Sequence, residues 1–110
     1  MNVENLKPDG AVNGLELLVL RQYPKRMVTS KDYTGSMAAA CGRDDTGIVG
    51  IVLWGDQADR VKTGDRIRID GGWCRKNMGE LVVSTGQTGE LTILTTVKNY
   101  RITDTSEVVA

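Results

Sequence analysis

The sequence predicts an all-β domain, a small antiparallel barrel of about five or six short strands. Three observations carry this. Apolar, β-branched runs of strand length recur along the chain, the clearest being Ile48-Val-Gly-Ile-Val-Leu-Trp54. Turn signals separate them, as in Asp45-Thr46-Gly47, where Asp bonds its own backbone and Gly accepts positive φ. Only one segment, Gly55 to Lys62, has apolar residues at helical spacing (Ala58 and Val61), and Gly64 stops it within two turns.

The strand from Ile48 to Trp54 sorts its side chains by parity. Val49, Ile51 and Leu53 share the core face, while Gly50, Val52 and Trp54 form a small-residue platform that ends in a flat aromatic. After the helix, Asp65 to Trp73 alternates polar and apolar, as a strand with one wet face does. Simple parity puts Trp73 with Ile67 and Ile69 in the core. A β-bulge at Gly71-Gly72 would instead turn it outward, beside Trp54, and the sequence permits either.

Taken in order, Val3 to Gly14 is a short polar lead with a Pro8-Asp-Gly10 turn. Leu15 to Leu20 is the first strong strand, and it continues past Pro24 into Lys25 to Thr29 with a bend, because proline cannot donate to a ladder. Ser30 to Gly35 reads as a polar hairpin loop. Ser36 to Cys41 is alanine-rich but too short for a helix between two turns, so it reads as a strand. Cys74 to Gly79 reads as a loop tipped with Arg75 and Lys76, Glu80 to Thr85 as a strand, and Gly86 to Gly89 as a turn. Glu90 to Val97 reads as a last strand, with Leu91, Ile93 and Val97 on one face. The domain thus covers residues 1–97, and residues 98–110 form a polar C-terminal tail. A helix between the third and fourth strands of a small barrel points to a five-stranded OB-fold, a closed Greek-key barrel.

Composition narrows the function. The 14 basic and 14 acidic side chains balance, so any electrostatic attraction must be local. There is no histidine, which removes the usual general base, and the two cysteines are far apart, without metal-ligand spacing. Both are expected to be buried, inert thiols. No phosphate-binding glycine motif occurs. We expect neither an enzyme nor a bound cofactor or metal. The absence of a signal peptide and of a long apolar run leads us to expect a cytoplasmic protein.

The ordered pieces Val3-Glu-Asn-Leu-Lys-Pro8, Gly42-Arg-Asp-Asp-Thr-Gly47, Leu53-Trp-Gly-Asp56, Val61-Lys-Thr-Gly-Asp65 and Gly72-Trp73 resemble the archaeal single-stranded DNA-binding proteins. These belong with the OB domains of the replication protein A family, and the similarity runs over about residues 3–97. The resemblance implies binding of single-stranded DNA in replication, recombination or repair, with bases stacked on aromatic side chains. Trp54 and Trp73 match two of the family's stacking positions. The third usually falls a few residues later, where this chain has Asn77 and Met78. The chain has no phenylalanine, so Tyr33 or Met78 is the expected substitute.

The residues themselves agree, because single-strand binders combine a cationic groove with aromatic platforms. Arg21, Lys25, Arg26, Lys31 and Arg43 face only Asp32 within residues 21–43. Arg66, Arg68, Arg75 and Lys76 face only Asp70 within residues 66–76. Lys25, Arg26, Arg43, Arg75 and Lys76 are the expected phosphate contacts, whereas Arg66 and Arg68 read as solvated strand-face charges. Two other readings share the exposed aromatics: an OB-fold subunit that binds a protein partner, and a binder of single-stranded RNA. Base stacking does not separate RNA from DNA.

Overall fold

The structure, a computed structural model, describes residues 1–31 and 33–95. The expected tail at 98–110, with Tyr100, and the inward position of Val97 lie outside the described residues. After a 3-10 turn at Val3–Asn5, the strands are β1 (Gly10–Val12), β2 (Leu15–Gln22), β3 (Arg26–Thr29), β4 (Thr34–Asp44), β5 (Gly47–Trp54), β6 (Arg66–Asp70), β7 (Gly72–Asn77), β8 (Glu80–Ser84) and β9 (Glu90–Thr95). One short helix, α1 (Gln57–Arg60), lies between β5 and β6, inside the predicted segment.

These strands are pieces of fewer, longer ones. The sheet order is β1-β7-β8-β5-β4-β2-β6-β9, with β3 also on β4. β5 and β8 are parallel and the other pairs antiparallel. Gly10 pairs with Cys74 and Val12 with Gly72, and Leu15 with Ile69 and Leu18 with Arg66 continue the same register. β1–β2 therefore meets β6–β7 as one antiparallel ladder. That ladder closes the curled sheet into the ring of an OB-fold. Pro24 falls in the gap between β2 and β3, as its missing donor requires.

Inside the ring, Leu15, Leu17, Ile51, Leu53, Ile67 and Ile69 are fully buried, with Val49 and Val83 beside them. Burial along β5 alternates as the parity reading expects. The Ser36–Cys41 run is a strand, with Ala38 and Ala40 inward. Cys74 is buried, and desolvation raises its thiol above the ordinary pKa. Cys41 is only half-buried, because it lies on the outward side of β4.

The expected hairpin loop at Ser30–Gly35 is shorter, since Thr34 and Gly35 already belong to β4, and the expected lead and the loop after Trp73 also need correction. The lead from Val3 to Gly14 contains β1, whose Val12 is fully buried. Three residues after a turn carry too little pattern to read alone, and their partner is about sixty residues away. Cys74 to Asn77 is strand rather than loop. Arg75 and Lys76 pair with Val82 and Leu81, and the turn shrinks to Met78-Gly79. Both turn residues have positive φ (53° and 86°), the type I′ arrangement that suits a two-residue hairpin.

The side on which Trp73 lies is set at a paired kink. Asn13-Gly14 separates β1 from β2 where Gly71, next to Asp70, separates β6 from β7, and Gly14 and Gly71 both adopt positive φ (67° and 64°). Gly14 N–H donates to Asp70 Oδ1 (2.8 Å), and Gly71 N–H donates to Asn13 Oδ1 (2.7 Å). Both strands shift phase together, so inward residues run Ile69, Gly72, Cys74 and Trp73 faces out. Gly72 then lies directly under the Ser84 carbonyl oxygen, and a Cβ there would be 2.7 Å from Ile69 Cγ2. Gly72→Ala should cost about 1–3 kcal/mol by overpacking. An unchanged urea midpoint would contradict that close approach.

Acid should weaken the fold through the carboxylates at its turns. Burial raises the Asp44 pKa, but bonds from the Thr46 hydroxyl and from the N–H groups of Val3, Thr46 and Gly47 hold it below its ordinary value. The Arg68 guanidinium, then the Gly14 N–H, does the same for Asp70. A carboxyl depressed in the folded state contributes stability that is present above the unfolded pKa of about 3.9 and is lost as pH falls through the folded value. The urea midpoint should therefore drop as pH is lowered from about 4. Asp44→Asn should lower the midpoint at neutral pH and shrink the acid-induced drop. A variant with the native pH profile would rule out Asp44 as a contributor.

Candidate functional site

Because side chains alternate on each strand, the register fixes what the outer surface presents. Arg26, Met37 and Trp54 form one cross-strand row over β3, β4 and β5. Ala39 lies beside Val52, the parallel register brings Ser84 alongside, and Ser84 pairs with Trp73. The next row is Cys41, Gly50, Val82 and Arg75. A groove of about 990 Å³ lies over these rows. Met37, Val52, Val82 and Ser84 form its floor. Arg26, Ser30 and Tyr33 of the β3–β4 hairpin stand on one side, and Arg75, Lys76 and Asn77 of β7 on the other.

Both tryptophans line the groove. Trp73 is 44% exposed. Trp54 is half-buried, with Tyr33 packed edge-on at 4.8 Å between ring centroids and 63° between planes. The Tyr33 hydroxyl donates to the Ser36 carbonyl (2.8 Å), which fixes the ring over Gly35; a Cβ on Gly35 would be 2.7 Å from that hydroxyl. The Trp54 backbone N–H donates to Gln57 Oε1 (3.0 Å), and Gln57 Nε2 donates to Thr85 Oγ1 (2.9 Å). α1 thus ties the end of β5 to the β8–β9 loop. The Trp54 Nε1–H is buried and finds no acceptor among the described residues. Such an orphaned donor costs about 1–3 kcal/mol.

The cations divide by position. Arg26, Arg75 and Lys76 line the groove and form no ion pair among the described residues. Lys25 points to α1, where its ammonium lies 2.5 Å from Asp59 Oδ1 and holds that carboxyl below its ordinary pKa. Arg43 is exposed on β4, opposite Ile48 and one row beyond the groove. Met78 projects from the hairpin turn, 97% exposed, and is not part of the lining. Arg68, expected as a solvated strand-face charge, is instead held by Asp70 (2.9 Å) and Glu16 (3.4 Å). One carboxylate, Asp56, also lines the groove, and it faces Arg60 at 3.5 Å. Among the described residues, no group of three or more His, Cys, Asp or Glu side chains converges as a metal site would.

Reading the sequence named six of the lining side chains: Arg26, Tyr33, Trp54, Trp73, Arg75 and Lys76. Val52 was visible in the platform face of its strand. Met37 needed the β4–β5 register. Ser84 and Val82 needed the parallel pairing of β5 with β8, which no local pattern announces.

No protein-family model matches the chain. Over 84 residues, 76% of its length, it is 29% identical to the single-stranded DNA binding protein Ssb of Saccharolobus solfataricus, and it spans 57% of that protein. Among solved structures it is similar to the second OB-fold domain of replication protein A from Methanococcus maripaludis (TM-score 0.72, 26% identity, 87% of this chain and 95% of that one). It is also similar to an OB domain from Thermoplasma acidophilum (0.72, 19%, 87% of each). A third likeness is to the replication factor A related protein from Methanobacterium thermoautotrophicum (0.70, 20%, 86% and 89%). These likenesses bear out the OB-fold and the resemblance carried by the sequence motifs.

The two indoles should report their surroundings separately. With Trp73→Phe, the remaining Trp54 should emit further to the blue and be quenched less by acrylamide than Trp73 is in Trp54→Phe, because its N–H is buried and Tyr33 covers it. Equal quenching of the two would contradict this packing.

Proposed function

We propose that this chain is a single-stranded DNA-binding domain that stacks bases on Trp54 and Trp73 and neutralises phosphates with Arg26, Arg75 and Lys76. The observation that carries the reading is the pairing of each platform with a cation inside one groove. Arg75 follows Trp73 by two residues on the outer side of β7, and Arg26 shares the cross-strand row of Trp54. A nucleotide offers the complementary pair, a flat base and a phosphate.

The likeness to an archaeal single-stranded DNA binding protein supports the same reading. Stacking tolerates any base, since each has a π-face, so binding is largely independent of sequence. Between the platforms, Val52, Ser84 and Val82 make a low floor over which a backbone can pass. Tyr33 braces Trp54 and lines the rim. Lys25 reaches a phosphate by opening its exposed pair with Asp59, an exchange that costs little. Arg43 and Met78 serve as outlying contacts. The roles that fit are those that expose single strands: replication, recombination and repair.

Titration with polythymidine should quench tryptophan emission. Trp54→Ala and Trp73→Ala should each weaken binding by about 1–3 kcal/mol in a domain that remains folded. Neutralising about two to four phosphates should give a log–log salt slope of about −1.5 to −3, and Arg75→Ala with Lys76→Ala should flatten it. Duplex DNA should bind far more weakly, its bases being stacked already. Equal affinity for duplex and single strand would reject stacking. Binding to neither would point instead to a protein partner.

A further inference from the structure

The outer face continues beyond the groove, across β4 to β2. Arg21 pairs with Cys41 and Gln22 with Ala40. The Tyr23 N–H donates to the Ala39 carbonyl (2.8 Å), which extends that pairing by one residue. Gln22 turns toward α1, its Nε2 donating to the Ala58 carbonyl (2.7 Å). Alternation then puts Arg21 and Tyr23 on the opposite, outer side. Both are exposed, Tyr23 by 48%.

The two cross-strand rows of the groove floor are thereby completed. One reads Tyr23, Ala39, Val52, Ser84, Trp73 and has an aromatic ring at each end. The next reads Arg21, Cys41, Gly50, Val82, Arg75 and has a guanidinium at each end. Trp73 and Arg75 are two residues apart on β7, and Arg21 and Tyr23 repeat that spacing at the far end of β2. Across β4 the rows carry only Ala39 and Cys41, and Gly50 follows on β5, so no bulky side chain stands between Val52 and the β2 edge. Neither Arg21 nor its neighbour Arg43 forms an ion pair among the described residues. Four strand spacings separate β7 from β2, about 19 Å along the rows.

We infer that Tyr23 and Arg21 form a second contact station for the same nucleic-acid strand, an aromatic platform beside a phosphate contact, reached across the flat surface of β4. The inference rests on the proposed single-strand binding and lengthens its site. A strand seated on Trp73 and Arg75 crosses the floor past Trp54 and leaves the domain over Ala39 and Cys41. There the Tyr23 ring takes a base and Arg21, with Arg43 alongside, takes phosphate. A footprint of this extent suits an OB-fold, for which about 4–16 nucleotides is usual.

The test is affinity against strand length, measured on the full chain by tryptophan quenching with polythymidines of increasing length. Native affinity should rise until the strand spans both stations and then level off. Tyr23→Ala should leave the shortest strands unaffected, weaken long ones by about 5- to 150-fold, the equivalent of one lost stack, and level off at a shorter length. Arg21→Gln should weaken only the long strands and lower the salt slope by about 0.7. Tyr23→Phe, which keeps the ring, should behave as the native chain does. Tyr23→Ala with unchanged affinity at every length would overturn the second station. Equal weakening at all lengths would overturn it too, since that marks a structural role. Failure of the native chain to bind polythymidine of any length would overturn the parent reading instead.

Discussion

The paired kink at Asn13-Gly14 and Asp70-Gly71 is the constraint on which the rest depends. β1–β2 and β6–β7 must close the ring while Trp73 of β7 faces outward, and unbroken alternation allows only one of these. An unbroken strand from Ile67 would turn the indole inward beside the fully buried Ile67 and Ile69. Shifting phase in one strand alone would break the closing ladder. Shifting it in both at the same level keeps the register, and two side chain–backbone hydrogen bonds replace those lost at the interruption. The two glycines are needed because that backbone has positive φ, which a side chain makes costly by about 1–2 kcal/mol.

From that phase shift follows a separation of duties between the two faces of each strand. On β5, Val49, Ile51 and Leu53 hold the core while Val52 and Trp54 look outward. On β7, Cys74 is inside while Trp73 and Arg75 look outward. Outward substitutions therefore leave the core filled. Trp54 departs from this in part, since its backbone N–H is tied through Gln57 to Thr85 and its ring is braced by Tyr33. Its buried Nε1–H finds no acceptor among the described residues, so the ring's place there costs stability.

Much of this was legible in the sequence, and what was missed has one cause. Parity on a single strand gave the core and platform faces of β5, and turn chemistry located the β4–β5 turn and the break at Pro24. Features that depend on a distant partner were not readable. β1 is only three residues long and is a strand because Cys74 lies opposite Gly10. Arg75-Lys76-Asn77 looks like a loop by composition, yet pairing with β8 makes it strand and moves its cations onto the wall of the groove. Lys25 shows the converse: a cation in a basic stretch, drawn aside by Asp59 on α1. The side on which Trp73 lies stood open because the glycines announce a break without saying whether one strand or both would shift.

On the proposed reading, a net charge of zero sets the kind of binder such a face is. At physiological ionic strength, charges further apart than about 8 Å are largely screened. The cations therefore act where they touch a phosphate, and long-range steering adds little to the rate of encounter. Arg26, Arg75 and Lys76 are few, and Asp56 at the same groove opposes them. The proposal therefore places most of the affinity on the flat surfaces. Each stacked base contributes about 1–3 kcal/mol and is not weakened by salt as a phosphate contact is. Arginine suits this arrangement better than lysine. Its planar guanidinium lies against a base as well as forking onto a phosphate, so one side chain serves both parts of a nucleotide. On the proposed reading, the arginine at the end of each aromatic row extends the stacking surface as much as it supplies charge.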